Sequence, residues 1–365
     1  MLGHSSGHKR GENLNVLIIG AGAIGSLLAF RLVAAGHKVT AVGRPAYVKA
    51  IQQRGLLVES GGQAMRAGHL EAVENADMLD GSQFDLVVIT TKAFDTAVAS
   101  VQAQPFVQLG APALVMQNGV GGIEIAQGIL GEHHLYAGVI TIPVEVLKPA
   151  VIRPLSGRGG VGIASVVPEQ DATWLVELSA QAGFETRSCA DWRAMKWSKL
   201  MLNLLANAVP AILDWPIERV YANRALYDLE RDVLCEARAV TLRLGVKLVS
   251  LPGYPVPLLV WMLCTLPSAV THAIFRRAIA SSRAGKRPSL HIDLSRGRDK
   301  SEIAFLNGAV VRAGEKLGVP TPINQVLCDT LLGIARGKVK WSAYRGQADQ
   351  LIRQARGGNV LEERT

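Results

Sequence analysis

The chain has 365 residues, 49% of them hydrophobic, and a formal charge of +9. That length allows two domains of ordinary size with sizeable cores. The basic balance suits anionic ligands, and nonspecifically nucleic acid or anionic membrane. No nucleic-acid-binding motif accompanies it, so nucleic acid is not expected as a partner.

Residues 1–13 are polar, with His4, His8, Lys9 and Arg10, and lack the apolar core of a signal peptide. A disordered tail and a cytoplasmic location are expected. Val16 to Ile19 is then an apolar run of the kind that makes a buried parallel strand. It runs into Gly20-Ala21-Gly22-Ala23-Ile24-Gly25, a helical pattern over Ser26 to Ala35, and a second strand from Lys38 to Val42. This is a dinucleotide fingerprint in its strand–turn–helix–strand context. Gly20 allows the tight turn, Gly22 lets the backbone approach a pyrophosphate, and Gly25 lets helix and strand pack closely. The helix N-terminus offers amides to the anion. A cofactor with a free ribose 2′-hydroxyl usually meets an acid after the second strand; here stands Arg44, suited to a 2′-phosphate. NADPH is therefore expected over NADH, the plain alternative being a solvated surface arginine.

Phe84 to Thr91 and Ala113 to Gln117 read as further parallel strands. Thr91-Lys92-Ala93 and Asn118-Gly119-Val120-Gly121-Gly122 follow them, at the strand ends where such sheets bind ligands. Lys92 and Asn118 are candidates for contact with cofactor or substrate. Leu135 to Val146 and Gly160 to Ser165 suggest an antiparallel extension, and Trp174 to Gly183 a helix. From Asp191 onward the pattern is helical, so a boundary is placed at residue 186. The domains read as 14–185 and 186–350, followed by a polar tail at 351–365.

Lys199, Asn203 and Asn207 recur every fourth residue in an otherwise apolar segment, Trp197 to Asn207. On one helix they would share a face, and in a buried helix they must be satisfied. Either a polar ligand or an internal hydrogen-bond network would do so. A lysine can protonate a ketone oxygen as hydride reaches the carbon. Leu248 to Phe275 has no charged residue, but prolines interrupt it. It reads as a proline-rich loop followed by a buried or interface helix, and no stable membrane insertion is expected. Basic residues follow directly, so a peripheral membrane contact stands beside a homodimer interface and a lid over the cleft as its possible roles. A third cluster runs from Ser289 through Asp293 to Glu302 and Asn307-Gly308; by itself it reads mostly as a charged helix surface, with Glu302 about two and a half turns beyond Asp293. Cys189, Cys235, Cys264 and Cys328 show no metal-ligand spacing and read as buried free thiols in a reducing cytosol.

Together these segments resemble the ketopantoate reductase family from Asn15 to about Gln347. The motifs are GAGAIG, Arg44, TKA at Thr91, QNG at Gln117, W-x-K-x-x-x-N-x-x-x-N from Trp197, S-x-x-x-D from Ser289, and GR-x-x-S-E-I from Gly297. The resemblance implies an N-terminal Rossmann-type α/β domain and an all-α C-terminal domain of the 6-phosphogluconate-dehydrogenase type. It implies NADPH-dependent reduction of 2-dehydropantoate to pantoate, toward pantothenate and coenzyme A. By it Lys199 is the general acid and Glu302 orients the substrate. Asn118, Asn203, Asn207 and Ser289 bind substrate; residues 20 to 25, Arg44, Lys92 and Asn118 serve the cofactor. Two departures bear on the substrate. Ile292 stands where family members often carry Gln, and the apolar segment of about 251–284 looks inserted. The alternatives are a reductase of another 2-oxo acid on the same fold, or a non-catalytic NADPH sensor.

Overall fold

The structure, a computed structural model, describes residues 13–282 and 287–357. The expected N-terminal tail lies almost wholly outside the described residues. The chain forms two compact units. Unit 1 comprises residues up to Gln117, Gly122–Met195 and Leu251–Tyr254; unit 2 comprises Asn118–Gly121, Lys196–Ser250 and the chain from Pro255.

Among the described residues, unit 1 has twelve strands: β1 (Asn15–Ile19), β2 (Lys38–Val42), β3 (Leu57–Ser60), β4 (Gln63–Arg66), β5 (Glu71–Val73), β6 (Leu86–Ile89), β7 (Ala113–Val115), β8 (Leu135–Ile140), β9 (Val144–Lys148), β10 (Val151–Pro154), β11 (Gly160–Ser165) and β12 (Glu185–Ser188). Eight make one sheet, in the order β12-β11-β8-β7-β6-β1-β2-β5. All its pairings are parallel except β11 with β8. β1 lies between β2 and β6, and Val16 to Ile19 are essentially inaccessible to solvent. That explains their unbroken apolar run: both faces of a central parallel strand are covered. The helices of this unit are α1 (Ala23–Ala34), α2 (Pro45–Arg54), α3 (Thr96–Gln108), α4 (Gly122–Leu130) and α5 (Thr173–Gln181).

The expected strand from Leu135 to Val146 is two strands. β8 belongs to the large sheet, whereas β9 joins a small sheet of order β4-β3-β10-β9. Pro143 interrupts the run and has no N–H for a ladder. Thr141 Oγ1 accepts from Gly160 N at 2.8 Å and donates to Pro252 O at 2.8 Å. The second contact brings Leu251–Tyr254 into unit 1.

The units divide at Met195/Lys196 and not at 186. The reason is β12, which pairs with β11 as the edge of the large sheet. The helices from there on are α6 (Trp192–Leu204), α7 (Ala208–Leu213), α8 (Ile217–Ala222), α9 (Arg224–Arg243), α10 (Val256–Thr265), α11 (Ser268–Ser282), α12 (Ser289–Ser295), α13 (Asn307–Leu317), α14 (Pro322–Ala335) and α15 (Ala348–Ala355). The 20-residue α9 packs against α8, α10, α11, α13, α14 and α15. Its face from Leu226 and Leu229 to Ala237 and Val240 is buried, and Asn223 caps its start by accepting from Leu226 N at 3.1 Å.

Several expectations need correction. Residues 351–355 belong to α15, where Leu351 and Ala355 are buried, so the polar tail begins later; residues 358–365 lie outside the described residues. The apolar segment after Leu251 forms two helices, α10 and α11, broken at Pro267. Among the described residues no helix is long and apolar enough to cross a membrane. Cys235 and Cys264 are not free thiols: they form a disulfide joining α9 to α10. Their 29-residue separation concealed the pairing, which depends on how the two helices pack. Cys189 is half-buried, not buried. Burial pushes the Cys328 thiol up to about 11, leaving it a neutral packing group.

Candidate functional site

In unit 1 the glycine turn leaves β1 with Gly20 at φ +110°. A Cβ there would lie 2.5 Å from Thr91 N, so the turn and the loop after β6 touch backbone to backbone. A Cβ on Gly25 would lie 2.3 Å from Gly20 O and 2.7 Å from Thr90 Oγ1. Both glycines are thus required by the protein's own packing. Gly22 differs. It is the N-cap residue of α1, it is exposed, and a Cβ on it would meet nothing within 4 Å. Its side of the turn is open, as an approaching pyrophosphate needs. The intrahelical bond from Ser26 N reaches back to Gly22 O at 2.9 Å, so the amides of Ala23, Ile24 and Gly25 form the positive first turn of the helix. These residues, with Ala21, fit the diphosphate of a dinucleotide.

Arg44 follows the end of β2 as the N-cap residue of α2, with its side chain exposed. Lys92 follows β6, half-buried, at the start of a 3-10 turn from Ala93 to Asp95. Its loop is held by Gln117, which is 5% exposed. Gln117 Nε2 donates to Thr91 Oγ1 at 2.8 Å and Lys92 O at 3.1 Å, while its Oε1 accepts from Thr96 Oγ1 at 2.8 Å. In the sequence Gln117 stands out only as part of the QNG motif; its bridging role depends on β6 and β7 being neighbours.

Unit 2 brings together the remaining candidates. Lys199 and Asn203 lie one turn apart on α6, both half-buried. Asn207 is not on that helix. α6 ends at Leu204, and Ala206 takes a left-handed φ of +56°. Glu230 of α9, 2% exposed, accepts from Ala206 N at 2.6 Å and so holds the break. The four-residue spacing therefore does not mark one helical face. Asn207 still returns to the group: its Nδ2 donates to Asn203 O at 3.1 Å, and its Oδ1 accepts from Leu290 N at 3.3 Å. That second bond fixes the start of α12, where Ser289 is exposed.

Asn118 joins the same group. Asn203 Nδ2 donates to Asn118 Oδ1 at 3.5 Å. Two residues on, Val120 N donates to Phe305 O at 3.0 Å, and a Cβ on Gly119 would lie 2.5 Å from that oxygen. Phe305 ends the 3-10 turn that begins at Glu302. Lys199, Asn203, Asn118, Asn207, Ser289 and Glu302 are thus carried on elements tied directly to one another.

The third cluster is not one helix, and only its middle, with Arg296, Asp299 and Lys300 exposed, is a charged surface. α12 stops at Ser295, Gly297 turns with φ +66°, and Glu302 opens a separate turn. His291, Asp293 and Glu302 are all buried. Two basic side chains of this cluster are engaged internally: His291 Nε2 with Asp214 at 2.6 Å, Arg298 with Asp293 at 3.1 Å. Asn307 is also internal, donating to Asn324 Oδ1 at 3.0 Å. A buried lysine of α6, Lys196, escaped sequence reasoning because it falls outside the four-residue spacing.

The family model described as Ketopantoate reductase PanE/ApbA matches residues 16–166, and its C-terminal counterpart matches residues 191–335. A 2-dehydropantoate 2-reductase of Pyrococcus horikoshii is 27% identical over 318 residues, covering 86% of this chain and 95% of that protein. One from Mesorhizobium japonicum is 29% identical over 347 residues, covering 88% and 97%. The crystal structure of a PanE/ApbA family ketopantoate reductase from Ralstonia eutropha superposes with a TM-score of 0.74 at 30% identity, covering 89% of this chain and 99% of that one. A D-mandelate dehydrogenase solved with NADH and anilino(oxo)acetate shares the fold, with a TM-score of 0.76 at 21% identity and the same coverage.

Proposed function

Because the chain belongs to the ketopantoate reductase family of oxidoreductases, we propose that it reduces 2-dehydropantoate to pantoate with Lys199 as the general acid. NADPH is the cofactor; when bound it supplies the hydride. The residues suited to hold it are Gly20 to Gly25 at the start of α1, Arg44 at the 2′-phosphate, and Lys92 on the loop that Gln117 braces.

Lys199 holds the proton at Nζ and gives it to the ketone oxygen, so no free alkoxide has to form. Solvent then restores the ammonium. Asn203, one helical turn away, and Asn118, its hydrogen-bond partner, offer amides to the substrate. Ser289 donates to the carboxylate, and Glu302 accepts from the substrate hydroxyl. Both ends of the Asn207 amide are engaged by backbone groups. Asn207 thereby aligns α6 with α12, and its second Nδ2 hydrogen is the one it would offer to the substrate. The observation that carries the reading is the placement of Lys199 one turn from Asn203 within this tied set.

A second reading, reduction of another 2-oxo acid, rests on Ile292. It is half-buried on α12, three residues after Ser289. An apolar side chain in place of an amide favours a less polar substrate. One experiment separates these readings: NADPH oxidation by the purified protein with 2-dehydropantoate beside a panel of 2-oxo acids, repeated with Lys199→Ala. Turnover confined to 2-dehydropantoate and lost in the variant, with NADPH affinity kept, is the expected result. Preference for another acid would move the assignment to the second reading. An unimpaired Lys199→Ala would remove the lysine as acid.

A further inference from the structure

Between Glu236 and Asp293 the sequence has no carboxylate and eight Lys or Arg residues, from Arg238 to Arg287. That one stretch carries +8 of the chain's formal charge of +9, leaving +1 for all the rest. It supplies the end of α9, α10 and α11 in unit 2.

The inner sides of these helices are firmly moored. The Cys235–Cys264 disulfide ties α10 to α9. Arg231 donates to Leu263 O and Leu266 O at the end of α10. Ser268 bonds Asp228, and His272 Nε2 meets Tyr221 O at 2.9 Å. Val256, Val260, Leu263 and Thr271 are buried.

The outer sides are apolar and open. Leu258 and Trp261, three residues apart on α10, are 53% and 49% exposed; Val270 and Ile274, four apart on α11, are 48% and 47% exposed. Arg277 continues the face of Val270 and Ile274, and both Arg276 and Arg277 are exposed. At the end of α9, Leu242 and Leu244 are exposed on either side of exposed Arg243. Half-exposed aliphatic side chains and a tryptophan, interleaved with arginines on a stretch that carries no acid of its own, are what an anionic bilayer interface accepts. A nucleic acid would use the cations but gain little from the aliphatics. A second copy docking by the same patch would set one strongly cationic surface against another.

We infer that α10, α11 and the end of α9 form a docking surface for anionic phospholipid membranes, which the protein binds peripherally, without spanning.

The test is co-sedimentation of the full chain with phosphatidylglycerol-rich vesicles and with pure phosphatidylcholine vesicles. Binding to the anionic vesicles should exceed binding to the neutral ones by at least about tenfold and should weaken with added salt. Trp261→Ser, and separately the pair Arg276→Glu with Arg277→Glu, should each cut it by at least about tenfold. Both variants change exposed side chains and should keep the far-UV circular dichroism and the NADPH-linked activity of the parent. Absence of binding at low salt, or variants that bind as the parent does, would overturn the assignment. So would a DNA duplex bound as tightly and insensitive to Trp261→Ser. A concentration-dependent dimer in sedimentation velocity that Trp261→Ser dissociates would overturn it too, in favour of a second copy.

Discussion

Among single residues, Arg44 makes the sharpest statement about the cofactor. It stands exposed at the end of β2, at the place where an acid would select a free 2′-hydroxyl. Arg44→Ala should weaken NADPH by roughly 1.5–3 kcal/mol, the scale of a charge-assisted contact, and leave NADH nearly unchanged. Fluorescence titration of both cofactors checks this; equal losses would show that the guanidinium does not read the 2′-phosphate. The three glycines of the turn separate in the same way, by what a Cβ would strike. Gly20 and Gly25 answer to the fold, whereas Gly22 faces open space. The fingerprint alone cannot distinguish these duties.

At the level of elements, much of unit 1 was legible because its signals are local. β1, its glycine turn, α1 and β2 follow one another within thirty residues, and each announces itself by periodicity or by a turn residue. The site in unit 2 was legible in its residues but not in its geometry. A four-residue spacing cannot reveal that the helix carrying Lys199 and Asn203 stops before Asn207. The break depends on Glu230, a partner from another helix. Burial of Asp293 and Glu302 was hidden for the same reason, since charge along a chain says nothing of what later covers it.

A similar distant partner starts α14. Glu236 of α9 accepts from Ile323 N at 2.9 Å, Asn324 N at 3.0 Å and Asn324 Nδ2 at 2.7 Å. Glu236→Ala should cost about 1–3 kcal/mol, read as a lower Tm, because these donors lose their acceptor. Burial pushes the Glu236 carboxyl up, against the opposing pull of those hydrogen bonds. The folded protein therefore holds this proton more tightly than the unfolded chain. Its contribution is full below the ordinary carboxylate range and declines as pH rises through the folded pKa. The wild-type margin over Glu236→Ala should be widest in acid; thermal melts of the two proteins across pH would reveal the opposite trend if the sign were wrong.

For the whole molecule, the telling fact is that neither unit is a single stretch of chain. Unit 2 takes Asn118–Gly121 from within the sequence of unit 1, and unit 1 takes Leu251–Tyr254 from within unit 2. A fragment of residues 196–365 lacks the Val120 bond to Phe305 and the Asn118 partner of Asn203. It should melt well below the intact protein by circular dichroism. A fragment as stable as the parent would show that the borrowed loop adds little to unit 2.

That exchange of segments also bears on inheritance. A recombination event joining the first half of one gene to the second half of another, at the seam near residue 195, would hand the helical unit a foreign Asn118 loop. It would likewise set a foreign loop, in place of the one carrying Pro252, against Thr141. The two halves of this chain cannot be traded like beads on a string. Changes around Phe305 and around Gly119 must be accepted together or rejected together, so lineages that diverge at one should carry matched differences at the other.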